Sequence, residues 1–379
     1  MRAYGTVLAA HSTPETADIL LIMSDSAPSS NRNALIAIVA LLALALVVGG
    51  IVVVKSASGP SAAQANGGGV GGVGAESIEA ALAAAQVYIR DKKFVEAATI
   101  LEKLVERAPT DQAAHLAYAQ ALLGQKKYPE AYAEYEAAIA LNQTISSQRL
   151  KEGAGGAPVR DPVTAQLHFE AGTCANVVGR SDRAIEHYWM AQTLDASEPR
   201  YPLFLAMMQI KTGDEGAANA SLVRAVKLNP DLAEAWGTMA ELALRQNQLS
   251  LAAQHVEKAR TLQPEVARWR IIEARIANRT GEPEKAATML VALDAQTRSD
   301  RQVITLLSES YGLMKRPGDA AKLWADAAKN AGADADAHYQ AALWYQRAGD
   351  SAKAAEHAKT AAMMGHEGAK QLATDLAHQ

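Results

Sequence analysis

The chain has 379 residues, 49% of them apolar but only 5% aromatic, so small side chains, alanine above all, must supply much of any core. A formal net charge of -4 gives no electrostatic reason to expect nucleic-acid binding. Cys174 is the one cysteine, which excludes an intrachain disulfide and leaves the redox compartment unassigned.

In chain order, residues 1–33 form a short polar N-terminal segment apart from an apolar patch at 19–23, and either Met1 or Met23 can serve as the start. Residues 34–54 are 21 uncharged, mostly apolar residues between Arg32 and Lys55. At about 1.5 Å per residue they span a hydrocarbon layer of about 30 Å, which predicts a single transmembrane helix. The alternative is a cleaved leader, with Ser56-Ala57-Ser58 as the small-residue cleavage site and a mature start near Gly59. One positive residue on each flank leaves the orientation balanced. Residues 55–77 are rich in Gly, Ser and Ala and predict a flexible tether. The glycine run at 67–74 follows no strand and lacks a Walker Lys-Ser/Thr, so it is not a phosphate loop.

From residue 78 onward a beat of 34 residues governs the chain. Ala184, Ala218, Ala252, Ala286, Ala320 and Ala354 keep that interval, as do Ala97 and Ala131 upstream. Between Ala131 and Ala184 the interval is 53, which places an insertion at about 146–164, either an ordinary surface loop or one that touches a partner. In the fifth unit Trp236, Met239, Ala240 and Ala243 share one face of a first helix, and Asn247 marks a turn. Ala252, Val256 and Ala259 then line a second helix, which Pro264 stops. Gly179, Gly213, Gly281 and Gly349 fall at the corresponding turn of other units, where left-handed backbone angles are expected.

This pattern resembles the tetratricopeptide repeat. The resemblance covers 78–368 as eight units, with a closing helix at 369–379, and departs from the repeat at Pro202, Arg270 and Gly332. It implies an all-α, right-handed α-α superhelix of about eight helical hairpins behind the transmembrane helix. One hairpin cannot bury its apolar stripe alone, so each leans on the next.

No motif for catalysis, metal or cofactor is visible: H-E-x-x-H, G-x-S-x-G, a Walker A and a cysteine pair are all missing from the sequence. His115, His168 and His338 recur at one offset, which is a helix-packing position, and Cys174 reads as a small packing residue. The protein is therefore expected not to be an enzyme and to need no cofactor. The resemblance implies a concave groove lined by the first helices. Its positions fall on Arg200 and Lys211 in unit four, Arg245 in unit five, and Arg268, Arg275, Asn278 and Arg279 in unit six, with Leu203, Met207 and Ile210 as an apolar strip. Such a groove suits acidic or amphipathic peptides or protein domains. The alternative is that the arginines pair with nearby glutamates such as Glu234 and Glu241. The implied function is a membrane-tethered scaffold for assembly or biogenesis of an envelope complex, on the periplasmic side of a bacterial inner membrane, with self-association as a further use. The alternatives are a secreted binding protein and an accessory subunit of an enzyme complex.

Overall fold

The computed structural model describes residues 77–151, 161–330 and 334–378. They fall within one compact unit, Glu76–Gln379, and are all-helical, with no strand among the described residues. α1 (Ile78–Arg90) pairs with α2 (Phe94–Arg107), and α3 (Gln112–Gly124) with α4 (Tyr128–Lys151). α5 (Pro162–Val177) pairs with α6 (Ser181–Leu194), and α7 (Arg200–Thr212) with α8 (Glu215–Leu228). α9 (Ala233–Arg245) pairs with α10 (Leu249–Leu262), and α11 (Ala267–Arg279) with α12 (Pro283–Val291). A four-residue helix, α13 (Ala295–Arg298), precedes the pair α14 (Arg301–Leu313) and α15 (Pro317–Asn330). α16 (Ala335–Arg347) and α17 (Ser351–Met363) form the last hairpin, against which α18 (Glu367–Ala377) packs. Each second helix also packs on the next first helix, so the solenoid grows by nearest-neighbour stacking.

The alanine beat is the core. Ala97, Ala131, Ala184, Ala218, Ala252, Ala286, Ala320 and Ala354 are all 0% exposed, one in each second helix. At these crossings a methyl group lets the helix axes approach, and a longer side chain would overpack. Where the close approach involves an aromatic ring, glycine replaces alanine. A Cβ on Gly237 would stand 2.0 Å from Trp269, whose indole is fully buried between α9 and α11.

The turns repeat with the same fidelity. Gly179, Gly213, Gly281 and Gly349 have φ of 82°, 89°, 82° and 78°. The other four hairpins put Lys92, Lys126, Asn247 and Lys315 in the same left-handed conformation, at φ between 57° and 62°. The following amide closes each turn onto the carbonyl five residues back, as in Arg180 N to Ala175 O at 2.8 Å and Glu282 N to Ala277 O at 2.8 Å.

One sequence expectation differs in detail, and two local features of the repeats stand beside it. The loop expected over 146–164 is partly helical: α4 runs on to Lys151 and α5 begins at Pro162. No Gly or Pro lies between Pro129 and Gly153 to stop α4 sooner. The second helix of the sixth unit ends early, at Val291, and Asp294 caps the extra helix α13 through the Thr297 amide. Pro202 is buried in the first turn of α7, where a missing N–H costs no helical bond. No described helix is long and apolar enough to cross a membrane, and the expected span at 34–54 lies outside the described residues.

Candidate functional site

The first helices of consecutive hairpins touch, as α7 does α9, α9 does α11 and α11 does α14. They bring the charged positions singled out in the sequence into one neighbourhood, and most of those positions prove to be satisfied within the fold. The Arg200 guanidinium straddles Glu198, with Nε 2.9 Å from Oε1 and Nη2 3.1 Å from Oε2, and lies over the Phe169 ring. Arg268 is clasped by two glutamates of the preceding hairpin: Nη1 donates to Glu234 at 2.7 Å and Nη2 to Glu241 at 2.9 Å. Burial raises the Glu234 carboxyl pKa, while the guanidinium beside it opposes that rise.

Lys211 and Arg279 reach back to the preceding hairpin. Lys211 Nζ donates to Asn176 Oδ1 at 3.0 Å, and burial lowers its pKa. Arg279 Nη1 donates to the Leu244 carbonyl at 2.6 Å, at the C-terminal end of α9, where a cation is favoured by the helix dipole. Asn278 Nδ2 donates weakly to Leu306 O at 3.4 Å, and its Oδ1 is buried without a donor among the described residues. Arg245 is exposed and enters no ion pair among the described residues. Arg275 makes no direct ion pair there, and with Arg279 it counteracts the burial that raises the Glu309 carboxyl pKa.

The apolar strip needs correction. Leu203 is 1% exposed and belongs to the core between hairpins, so it cannot be offered to a partner. Met207 and Ile210 are half-buried beside it. The reason is the α7 register: residues 201–206 are buried without a break, because the helix is covered on both sides by neighbouring hairpins.

The sequence reading stopped at the sixth unit and missed the continuation of its own register. Counting on from Lys211, Arg245 and Arg279 in steps of 34 leads to Leu313 and Arg347. Arg347 ends α16, and its guanidinium lies 4.6 Å from the centre of the Trp344 ring. Leu313 is 56% exposed, and Lys315 sits in the turn just beyond it. At the other end of the array the first-helix face is neutral to acidic. There Glu170 accepts from Tyr135 Oη at 2.7 Å and from Gln166 Nε2 at 2.9 Å.

The recurrent histidines pair across their own hairpins. His115 Nδ1 meets Glu134 at 2.6 Å, His168 Nδ1 meets His187 Nδ1 at 3.1 Å, and His338 Nδ1 meets His357 Nδ1 at 2.9 Å. Burial drives the His168 pKa down to about 4. Among the described residues there is no group of three or more side chains that could hold a metal ion. Cys174 is buried, and desolvation pushes its thiol up to about 12.

Comparison with known proteins agrees with this geometry. Residues 88–152 and 238–300 each match a family model described as tetratricopeptide repeat. Over those two stretches the chain is similar to the tetratricopeptide repeat, and the described residues build an all-α solenoid of that kind of fold. A tetratricopeptide repeat protein from Parabacteroides merdae is similar in fold, with a TM-score of 0.51 at 17% identity, over 74% of this chain and 99% of that one. Pseudomonas aeruginosa pilF aligns with a TM-score of 0.48 at 18% identity, over 61% of this chain and 97% of that one. PilW, a type IV pilus biogenesis factor, aligns with a TM-score of 0.48 at 18% identity, over 62% of this chain and 100% of that one. At 17% identity the likeness to the Parabacteroides merdae protein is one of fold alone, and no curated protein matches the sequence.

Proposed function

We propose that this protein is a membrane-tethered scaffold that binds segments or domains of other proteins along its first-helix face. The observation that carries the reading is the stack itself. Eight hairpins in one register expose side chains from successive repeats on a shared surface, and Arg245 stands on it without an internal ion pair. The internal pairing of Arg200 and Arg268 narrows the partner-binding set to Arg245, Arg275 and the turn-end cations beyond them. Acidic or amphipathic segments suit that set, because guanidinium groups bind carboxylates through two parallel hydrogen bonds.

We take as the tether the 34–54 stretch, 21 residues with the length and composition of a bilayer span, followed in the sequence by a Gly/Ser/Ala-rich stretch. We place the array on the periplasmic side of a bacterial inner membrane, by likeness to other anchored repeat proteins. Protease added to intact cells and to cells with the outer barrier opened tests this. Digestion only after opening, with membrane association that resists high salt, supports the placement. Protection until the membrane is dissolved overturns it. For the binding face, Arg245→Glu with Arg275→Glu should reduce capture of an acidic partner with helicity unchanged, since neither side chain holds a direct ion pair among the described residues. Undiminished capture would make them ordinary surface residues.

A further inference from the structure

At the turn end of the last three hairpins, the C-terminal ends of α11, α14 and α16 surround an open recess of about 740 Å³. That volume lies within the range of about 300–1,000 Å³ typical of clefts that take a ligand group. Its apolar floor is the Trp344 indole with Leu313 and Pro317. Gly312 is what lets the indole lie there, because a Cβ at that position would come within 2.7 Å of Trp344 Cη2. Leu313 at 56% exposed and a half-buried tryptophan at the bottom of a concavity form an apolar surface that no described helix covers.

Around this floor stand Arg279, Lys315 and Arg347, against one lining carboxylate, Glu309. Glu309 is already offset by Arg275 and Arg279. Lys315 and Arg347 enter no ion pair among the described residues, unlike Arg268 and Arg301, which each hold two carboxylates. Three helices end here, and their carbonyl ends could cancel the positive charge. They are capped instead: Lys315 N donates to Gly312 O at 3.0 Å and Arg316 N to Tyr311 O at 2.8 Å. Asp350 N closes α16 onto Tyr345 O at 3.0 Å, and Glu282 N closes α11 onto Ala277 O at 2.8 Å. The cations therefore dominate the rim.

We propose that this recess anchors an acidic segment of a partner protein, with one large apolar side chain set against Trp344 and flanking carboxylates held by Lys315 and Arg347. The proposal rests on the protein-binding reading of the array and moves its anchor from the fourth to sixth hairpins to the last three. A nucleic-acid backbone would need a track of cations, whereas these ring a single apolar floor.

The test uses the full chain in detergent and fluorescence anisotropy with an end-blocked hexapeptide, leucine and phenylalanine at its centre and two acidic residues on either side. Blocking the ends removes the terminal carboxylate as a source of binding. Saturable binding is expected, weakened at least tenfold by Arg347→Glu or Lys315→Glu, by Arg347→Gln to a lesser degree, and by replacing the peptide's acids with their amides. Lys227→Glu, an exposed change on the second helix α8, should leave it unchanged, and circular dichroism confirms that each variant is folded. Binding lost with Arg245→Glu but kept with Arg347→Glu overturns the recess while sparing the scaffold reading. Equal binding of the amide peptide overturns the charge argument, and no saturable binding overturns the recess altogether.

Discussion

Replacing Gly237 with alanine sets two effects of opposite sign against each other. In a helix interior alanine is favoured over glycine by about 1 kcal/mol. At this position the new Cβ would stand 2.0 Å from Trp269 Cζ3 and 2.6 Å from Cη2. The indole is 0% exposed and packed among Ala240, Leu244 and Ile272, so it has nowhere to move without shifting α11. Overpacking of this kind costs about 1–3 kcal/mol, and driving a buried tryptophan out costs more, about 3–5 kcal/mol. The clash should win, with a net loss of about 2 kcal/mol. Gly318→Ala is the control, since nothing lies within 4 Å of its Cβ and only the helix preference remains. A stacked array need not unfold in one step, so hydrogen exchange resolved to α9 and α11 is the appropriate readout beside thermal melting. Opening of those helices should become about 30-fold more frequent in Gly237→Ala. If Gly237→Ala stabilises the protein as Gly318→Ala does, the packing of α9 on α11 is not as described.

Other expectations follow from the same structure. Lys92→Gly and Lys126→Gly relieve left-handed backbone strain and should each raise stability by up to about 1 kcal/mol, whereas Gly213→Val should lower the melting temperature. Arg268→Met strands the carboxylates of Glu234 and Glu241 and should cost about 3 kcal/mol, while Arg245→Met should be near neutral in the same urea titration. His168 titrates near 4 in the fold against an ordinary value of 6.5, so the unfolded chain takes up the proton first. Its stabilisation is complete above about pH 6.5 and drains away as pH falls toward 4, by a few kcal/mol at most. His168→Asn should flatten that part of the stability profile, and an unchanged profile would mean that the buried pair with His187 does not titrate as described.

The fold was readable because one small residue at one interval has a single physical use. Eight alanines spaced for close helix crossing cannot be satisfied by a lone hairpin, and all eight are buried. The turns were half readable: glycine announces a left-handed residue, but lysine at 92, 126 and 315 takes the same conformation at an energetic cost that composition does not reveal. The binding face was least readable. Arg268 lies 34 residues after Glu234 and 27 after Glu241, so its pairing crosses from one repeat to the next and is invisible to a reading confined to one helix. Leu203 looked exposed by its position in the repeat and is buried because neighbouring hairpins cover α7. Arg347 was reachable by extending the same count of 34, and the recess beside it was not, since it depends on how Gly312 admits Trp344.

The most direct test of the scaffold account is site-specific photocrosslinking in cells that express the protein. A crosslinking residue is placed in turn at Ile210, Arg245 and Leu313 on the proposed face, and at Val95, Trp189 and Val223, which are exposed on second helices. The account predicts discrete adducts with another protein from the first set and none from the second, with the Leu313 adduct lost when Arg347→Glu is added. Adducts confined to the second-helix positions, or none from any position, would contradict it.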